Sequence, residues 1–160
     1  MSYELQAVIA KDEVLRCASR DFPAARVVSL GHGMSLMPMT DQLFDASTDG
    51  TQSPLGFWRL PGGFDRRLAD WSAAGPVAYV EAEYFGGVGD QRAAVWADGA
   101  VVLGPVHVPE GQPFGSAGSP ISQALRMLGV VADAATDEFA AVGLDRHRHG
   151  EDWIEQSRHA

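Results

Sequence analysis

Two glutamates with alternate spacing, Glu81 and Glu83, are the side chains best placed for chemistry in this sequence. They lie in an apolar stretch, residues 77–85, which predicts a β-strand. Alternate residues of a strand share a face, so both carboxylates would project on the same side as Tyr79. Paired carboxylates can exchange protons in acid–base catalysis or bind a divalent cation. A solvated sheet face, with Arg92 on the neighbouring strand as the cross-strand partner, is the simpler interpretation, and we favour it.

The surroundings of this pair decide between those interpretations. A buried carboxylate without a partner costs several kcal/mol, and one arginine is a poor match for two buried acids. We therefore expect the face to be open around Glu81 and Glu83, or these residues to be functional. His32 lies between two glycines, which suits an exposed loop residue, and Trp58 is an aromatic residue near the turn Pro61-Gly62-Gly63. The candidate binding residues are Tyr79, Glu81, Glu83, Arg92, His32 and Trp58.

A recognisable catalytic or metal-binding set is missing from the sequence. It contains neither a Gly-x-Ser-x-Gly nor a His-Glu-x-x-His motif. His147 and His149 alternate like two ligands of an extended segment, but Arg146 and Arg148 would oppose a cation there. We interpret this run as a solvated, charge-rich tail, keep the two histidines as weak metal candidates, and expect no cofactor.

Composition narrows the class of protein. The chain has 160 residues, a net charge of −9 and 46% hydrophobic residues, which suits one globular domain. The negative charge argues against nucleic-acid binding, which needs a basic surface. The single cysteine, Cys17, allows no intrachain disulfide, and we expect it to be a small core residue. With neither a signal peptide nor a membrane span in the sequence, we expect a cytoplasmic protein.

A β-meander is the element that would position the two glutamates. Three strands are predicted, near residues 77–85, 91–97 and 100–103. Asp98-Gly99 is a strong signal for a tight hairpin turn, and a longer glycine-rich turn is predicted over residues 86–90. The fold class is therefore α+β, a single domain over residues 1–160 with an antiparallel meander packed with short helices.

Helices and loops complete the expected domain. Phe64, Leu68 and Trp71 have helical spacing, and Ser119-Pro120 is a typical helix start. The stripe of that second helix consists of Ile121, Ala124, Leu125 and Leu128. Residues 35–39 are at best an edge strand because of Pro38, and Thr136 is the expected cap of a further helix. We also predict a polar loop near residues 47–54 and mobility in residues 145–160.

Several strings of the sequence resemble a known group. They are Ala78-Tyr79-Val80-Glu81-Ala82-Glu83-Tyr84-Phe85-Gly86-Gly87-Val88-Gly89-Asp90-Gln91, Pro120-Ile121-Ser122-Gln123-Ala124-Leu125 and Asp137-Glu138-Phe139 with Gly143-Leu144. Together they resemble small uncharacterised cytoplasmic proteins of actinobacteria, over residues 76–153. That group has no established activity, so the resemblance assigns no catalytic residue.

Three functions remain open at this stage. The first is an acidic protein-binding module, for instance an immunity-like inhibitor, whose partner would be a basic protein. The second is a small enzyme or small-molecule-binding protein that uses Glu81 and Glu83. The third is a structural or oligomeric subunit, and the oligomeric state itself stays open. No nucleic acid and no membrane is expected as a partner.

Overall fold

The computed structural model describes residues 2–85 and 88–158, which form one α+β domain around an antiparallel sheet. The strands are β1 (Ser2–Lys11), β2 (Val28–Ser29), β3 (Met34–Pro38), β4 (Val77–Phe85), β5 (Val88–Ala97) and β6 (Ala100–Val108). They lie in the order β2-β3-β1-β4-β5-β6, and each neighbouring pair is antiparallel. The predicted fold class is confirmed.

Helices cover both faces of the sheet. They are α1 (Asp12–Ala18), α2 (Asp41–Ser47), α3 (Phe64–Trp71), α4 (Pro120–Met127), α5 (Glu138–Ala141) and α6 (Gly150–Arg158). The first three helices share one hydrophobic core with the sheet, and the last three share a second core with the opposite face. The domain therefore has three layers, with the sheet in the middle.

The predicted meander is confirmed, although two of its strands are longer than predicted. Asp98 and Gly99 both have positive φ, of 50° and 84°, as a tight hairpin turn requires. Val88 to Asp90, which we assigned to a turn, pair with β4 instead. The remaining turn residues, Gly86 and Gly87, lie outside the described residues.

Helix α4 begins where the sequence predicts. The Ser119 Oγ accepts a hydrogen bond of 3.1 Å from the Ser122 amide, and Pro120 occupies the first turn. The whole predicted stripe of α4 is buried against the sheet. On the other face, Phe64, Leu68 and Trp71 are likewise buried, so both helical predictions are confirmed.

Some local predictions are wrong, each for a physical reason. Strand β3 is interior, because the two-residue strand β2 pairs outside it and Pro38 lies only at its end. Cys17 is exposed, because Val14, Leu15 and Ala18 supply the buried side of α1.

Two more differences lie near the C-terminus. The cap of α5 is Asp137 and not Thr136, since the Asp137 carboxylate accepts from the Ala140 amide at 2.9 Å. Residues 145–158 pack on the domain: Trp153 of α6 is fully buried, and the Arg148 carbonyl accepts from the Glu4 amide at 2.7 Å. The predicted mobility of this segment stays a prediction.

Within residues 2–85 and 88–158, none of the helices is both long and apolar enough to cross a membrane.

Candidate functional site: an acidic cleft around Trp58

The sheet register places the polar side chains of three central strands in two rows. Gln6 of β1 lies opposite Glu81 of β4, which lies opposite Arg92 of β5. One pleat further on, Glu4, Glu83 and Asp90 form a second row of three carboxylates. We call this second row, Glu4–Glu83–Asp90, the acidic row. Directly opposite side chains on neighbouring strands lie about 5 Å apart, so the acidic row brings like charges together.

Glu81 is buried, with only 7% of its surface exposed. Its Oε1 accepts a hydrogen bond from the Trp58 amide at 2.6 Å, and its Oε2 accepts one from the Arg59 amide at 2.6 Å. The Tyr79 hydroxyl donates a third hydrogen bond to Oε2 at 3.0 Å. Both carboxylate oxygens are thus occupied, and Glu81 attaches the segment around Trp58 to the sheet.

The electrostatics of this buried group follow from its surroundings. Desolvation raises the pKa of Glu81, and the Trp58, Arg59 and Tyr79 donors together with the Arg92 charge oppose that shift. Burial and the neighbouring Glu81 carboxylate also raise the pKa of Tyr79 well above its usual value. Tyr79 therefore stays protonated as a hydrogen-bond donor.

The segment over Glu81, residues 57–60, has buried side chains at both ends and an exposed tryptophan between them. Phe57 and Leu60 are buried in the core, and the Phe57 ring packs edge-on against Tyr79 with centroids 4.9 Å apart. Trp58 points outward and is 66% exposed. Just before it, Gly56 has a φ of 77°, and a Cβ there would come within 2.6 Å of Arg92. The Glu81 carboxylate and the two buried side chains therefore hold the backbone of this segment, while the Trp58 indole faces solvent.

Two adjoining cavities of about 480 and 280 Å³ share Trp58 and Gln6 in their walls. We call this combined depression the acidic cleft. Its carboxylates outnumber its guanidinium groups, Arg59 and Arg92. The carboxylates are Glu4, Asp41, Glu81, Glu83, Asp90, Glu151 and Glu155. The cleft therefore combines an exposed indole with a negative potential.

The structure brings together most of the predicted binding residues: Tyr79, Glu81, Glu83, Arg92 and Trp58. Our expectation of an open face holds for Glu83, which is exposed, and is wrong for Glu81, which the 57–60 segment covers. For Glu81 the other half of that expectation, a functional role, stays a prediction. We counted only Arg92 as a partner, whereas backbone amides more than 20 residues away in sequence satisfy Glu81.

His32 lies apart from this group. It is exposed in the turn between β2 and β3, with a φ of 59°, as expected of a loop residue. That turn adjoins Lys11 at the far end of β1, which is about 17 Å along the strand from Gln6. His32 therefore takes no part in the acidic cleft.

The two candidate metal ligands bind other side chains. The Nε2 of His147 is 2.7 Å from Gln156, and its ring packs edge-on against Trp153 at 4.6 Å. The Nε2 of His149 is 3.3 Å from the Ser2 hydroxyl. Among the described residues, no three His, Cys, Asp or Glu side chains converge as metal ligands.

Sequence reasoning missed Glu4, Gln6 and Asp90. Glu4 and Gln6 alternate within the first strand, as Glu81 and Glu83 do in the fourth, and that repeated pattern was a usable signal. The pairing of Glu4 with Glu83 and of Gln6 with Glu81, each across more than 70 residues, was not available from the sequence.

No protein-family model, curated protein or solved structure matches this chain significantly.

Proposed function

We propose that this chain is an acidic protein-binding module, in which Trp58 and the acidic row bind a basic surface of a partner protein. The observation that carries the proposal is the exposed Trp58 indole, whose backbone the buried Glu81 carboxylate holds at 2.6 Å beside the acidic cleft.

Trp58 suits the centre of a protein interface. Tryptophan is among the residues that contribute most to protein–protein affinity. The other three tryptophans, Trp71, Trp96 and Trp153, are buried, so they contribute to the core. Because Glu81 binds the Trp58 and Arg59 amides, the backbone beneath the indole is ordered before a partner binds, which lowers the entropic cost of binding.

The acidic row favours a polyvalent basic partner. Like charges directly opposite each other destabilise a sheet. Asp90 is already 2.6 Å from the His107 Nε2, so the repulsion that a cationic partner would remove is mainly that between Glu4 and Glu83. Neighbouring strands are about 4.8 Å apart, so the row extends over about 10 Å. Such a row matches several lysine or arginine side chains better than one small ion. A cation over the Trp58 face would add a cation–π contact.

The alternative of acid–base catalysis by Glu81 is less well supported. Both of its oxygens already accept hydrogen bonds, and its neighbour Glu83 is exposed on an open part of the face. The geometry gives Glu81 a positioning role for Trp58. A structural or oligomeric subunit would require an apolar contact surface, and exposed apolar side chains such as Val101 and Val102 of the edge strand β6 lie outside the cleft. The cleft itself is mainly charged and supports a charged partner.

The proposal can be tested by calorimetric titration with oligoarginine, with oligoglutamate as the probe of opposite charge. The wild-type chain should bind oligoarginine, and the affinity should fall with added salt because exposed charges are screened. Trp58→Ala should weaken binding about tenfold. The control is Val131→Ala, because Val131 is 78% exposed and lies outside the cleft. Equal affinities of Trp58→Ala and Val131→Ala would contradict the proposal.

A natural partner can be identified with the same pair of variants. Immobilised wild-type and Val131→Ala chains should retain a basic protein from a bacterial lysate, and Trp58→Ala should not. Our more specific proposal is a cytoplasmic, immunity-like inhibitor. The acidic charge, which suits a basic partner, supports the inhibitor role, and the resemblance described above supports only the location. The inhibitor role requires that co-expression of the chain suppress the toxicity of the retained protein. Unchanged toxicity would leave a binding module without an inhibitory role.

A further inference from the structure

Helices cover only part of the sheet face that carries the acidic cleft. Toward one end of this face, side chains of α1, α2 and α3 form one core with Tyr79 and its neighbours on β1 and β5. One pleat further on, the 57–60 segment covers Glu81. The acidic row comes next, and its members Glu4 and Glu83 are exposed. The far end of the face is therefore accessible to a partner.

An apolar pair lies beyond the acidic row. The register places Phe85 of β4 opposite Val88 of β5, one pleat beyond Glu83. Alternate residues of a strand share a face, so both side chains lie on the same face as the acidic row. Phe85 is 78% exposed and Val88 is 48% exposed. Exposed apolar groups thus lie on both sides of the acidic row, with Trp58 on one side and this pair on the other.

The surface features along β4 therefore follow the order apolar, acidic, apolar. Trp58 is attached over Glu81, and Glu83 follows two residues later. Phe85 comes two residues after that, so at about 3.3 Å per residue it is about 13 Å from Glu81. Single exposed apolar side chains are ordinary at a protein surface. Two aromatic rings on either side of a charged row suit an interface, where aromatic side chains are enriched.

The charges between the two rings favour two cations side by side. Glu4 and Glu83 lie directly opposite each other on β1 and β4, about 5 Å apart. Among the described residues, neither of these two carboxylates forms an ion pair, whereas Asp90 of the same row pairs with His107. A partner with two basic side chains next to each other would neutralise both glutamates.

An α-helix presents this combination of groups on one side. Residues i and i+7 lie on the same side of a helix and about 10 Å apart along its axis, a distance that side chains can extend to the 13 Å estimated above. Residues i+3 and i+4 lie side by side between them. An extended segment would direct two adjacent basic residues to opposite sides. A partner helix along β4 would also continue the helical layer that α1, α2 and α3 form over the rest of this face.

On the basis of the proposed binding function, we infer that the open end of this face binds a basic amphipathic helix of the partner protein. The apolar residues i and i+7 of that helix pack on Trp58 and Phe85. Its basic residues i+3 and i+4 pair with Glu4 and Glu83. A second copy of this chain is a poorer occupant, because it would bring two acidic rows together.

Two peptides of identical composition test the order of the groups. Both are based on alanine and glutamine and are about 15 residues long, the length at which isolated helices begin to form in water. The first has leucine at i and i+7 and arginine at i+3 and i+4, and the second has these leucines and arginines exchanged. In protein-observed NMR titrations, the first should bind about tenfold more tightly than the second. Equal affinities would overturn the inference, and so would undiminished binding of the first peptide with a central proline, which breaks the helix.

Variants of the chain show where the first peptide binds. Phe85→Ala should weaken its binding about three- to tenfold. The matched control is Phe114→Ala, because Phe114 is also an exposed phenylalanine, at 45%, and lies on the opposite face of the sheet. This control should bind the peptide as the wild type does. Equal affinities of the two variants would contradict the inference.

Oligoarginine separates a failure of this inference from a failure of the proposed function, because it supplies cations without apolar groups. If oligoarginine binds in a Trp58-dependent manner but the two peptides bind equally, only the partner helix is rejected. If oligoarginine does not bind, the proposed function is rejected as well. Sedimentation equilibrium of the chain alone tests the other occupant: a monomer is expected. A dimer that Phe85→Ala dissociates would assign this face to a second copy and overturn the inference.

Discussion

Glu81 on one face of the sheet and Ser122 on the other are both buried polar side chains, and their surroundings differ. On the α1–α3 face, three donors satisfy the Glu81 carboxylate. On the α4–α6 face, the Ser122 hydroxyl is equally inaccessible and has no partner. A charge of Glu81's kind could not remain buried without donors, whereas a neutral hydroxyl can remain unpaired at a moderate cost. The satisfied group supports a segment, and the unsatisfied group lowers the stability of the fold by a moderate amount.

The largest expected effects test whether the two cores are equally essential. Leu125→Ala on α4 and Leu68→Ala on α3 should each lower the free energy of unfolding by about 2–5 kcal/mol, because both side chains are fully buried. Urea denaturation of both variants measures this. If only one variant were destabilised, the helix that tolerates its change would not be packed as the structure has it.

The substitution Glu81→Gln should have the next largest effect and lower the free energy of unfolding by about 2–3 kcal/mol. The amide nitrogen cannot accept a hydrogen bond, so at least one of the Trp58, Arg59 and Tyr79 donors would lose its partner. The matched control is Glu83→Gln, two residues along the same face and exposed, which should stay within about 0.5 kcal/mol of the wild type. Equal stability of the two variants, measured by urea denaturation, would show that Glu81 does not hold the segment.

The substitution Ser122→Ala should raise the free energy of unfolding, by about 1 kcal/mol. The change removes a buried hydroxyl without a partner and improves helix propensity within α4. A higher thermal midpoint than the wild type is the expected result. A clear loss of stability would mean that this hydroxyl has a structural partner, and the contrast with Glu81 would disappear.

The smallest effect concerns the pH dependence contributed by Glu81 alone. Its pKa is raised above the usual 4.5, so the folded state holds the proton more tightly than the unfolded state. The contribution of Glu81 to the free energy of unfolding is therefore greatest below pH 4.5, and it falls as the pH rises through the pKa of the folded state. The stability advantage of the wild type over Glu81→Gln should narrow in that window, as urea titrations at several pH values would measure. A widening gap would mean that the three donors outweigh burial.

Local signals in the sequence determined the elements themselves. A tight hairpin turn requires positive φ angles, which Asp98-Gly99 adopts readily. The Ser119 side chain caps a helix through a hydrogen bond within three residues. The 3.6-residue spacing of Phe64, Leu68 and Trp71 likewise follows from helix geometry alone. Such features depend on neighbours in the chain, so the fold class could be predicted.

Tertiary structure decided the sites, because their partners are distant in sequence. Glu81 receives its amides from a segment more than 20 residues earlier, which no local pattern indicates. The acidic row exists only because β1 pairs with β4, and a shift of one residue in that register would turn Glu4 to the other face. Whether a buried polar group such as Ser122 finds a hydrogen-bond partner likewise depends on packing. Helices cover both faces of the sheet, and the sequence does not indicate which face each helix covers.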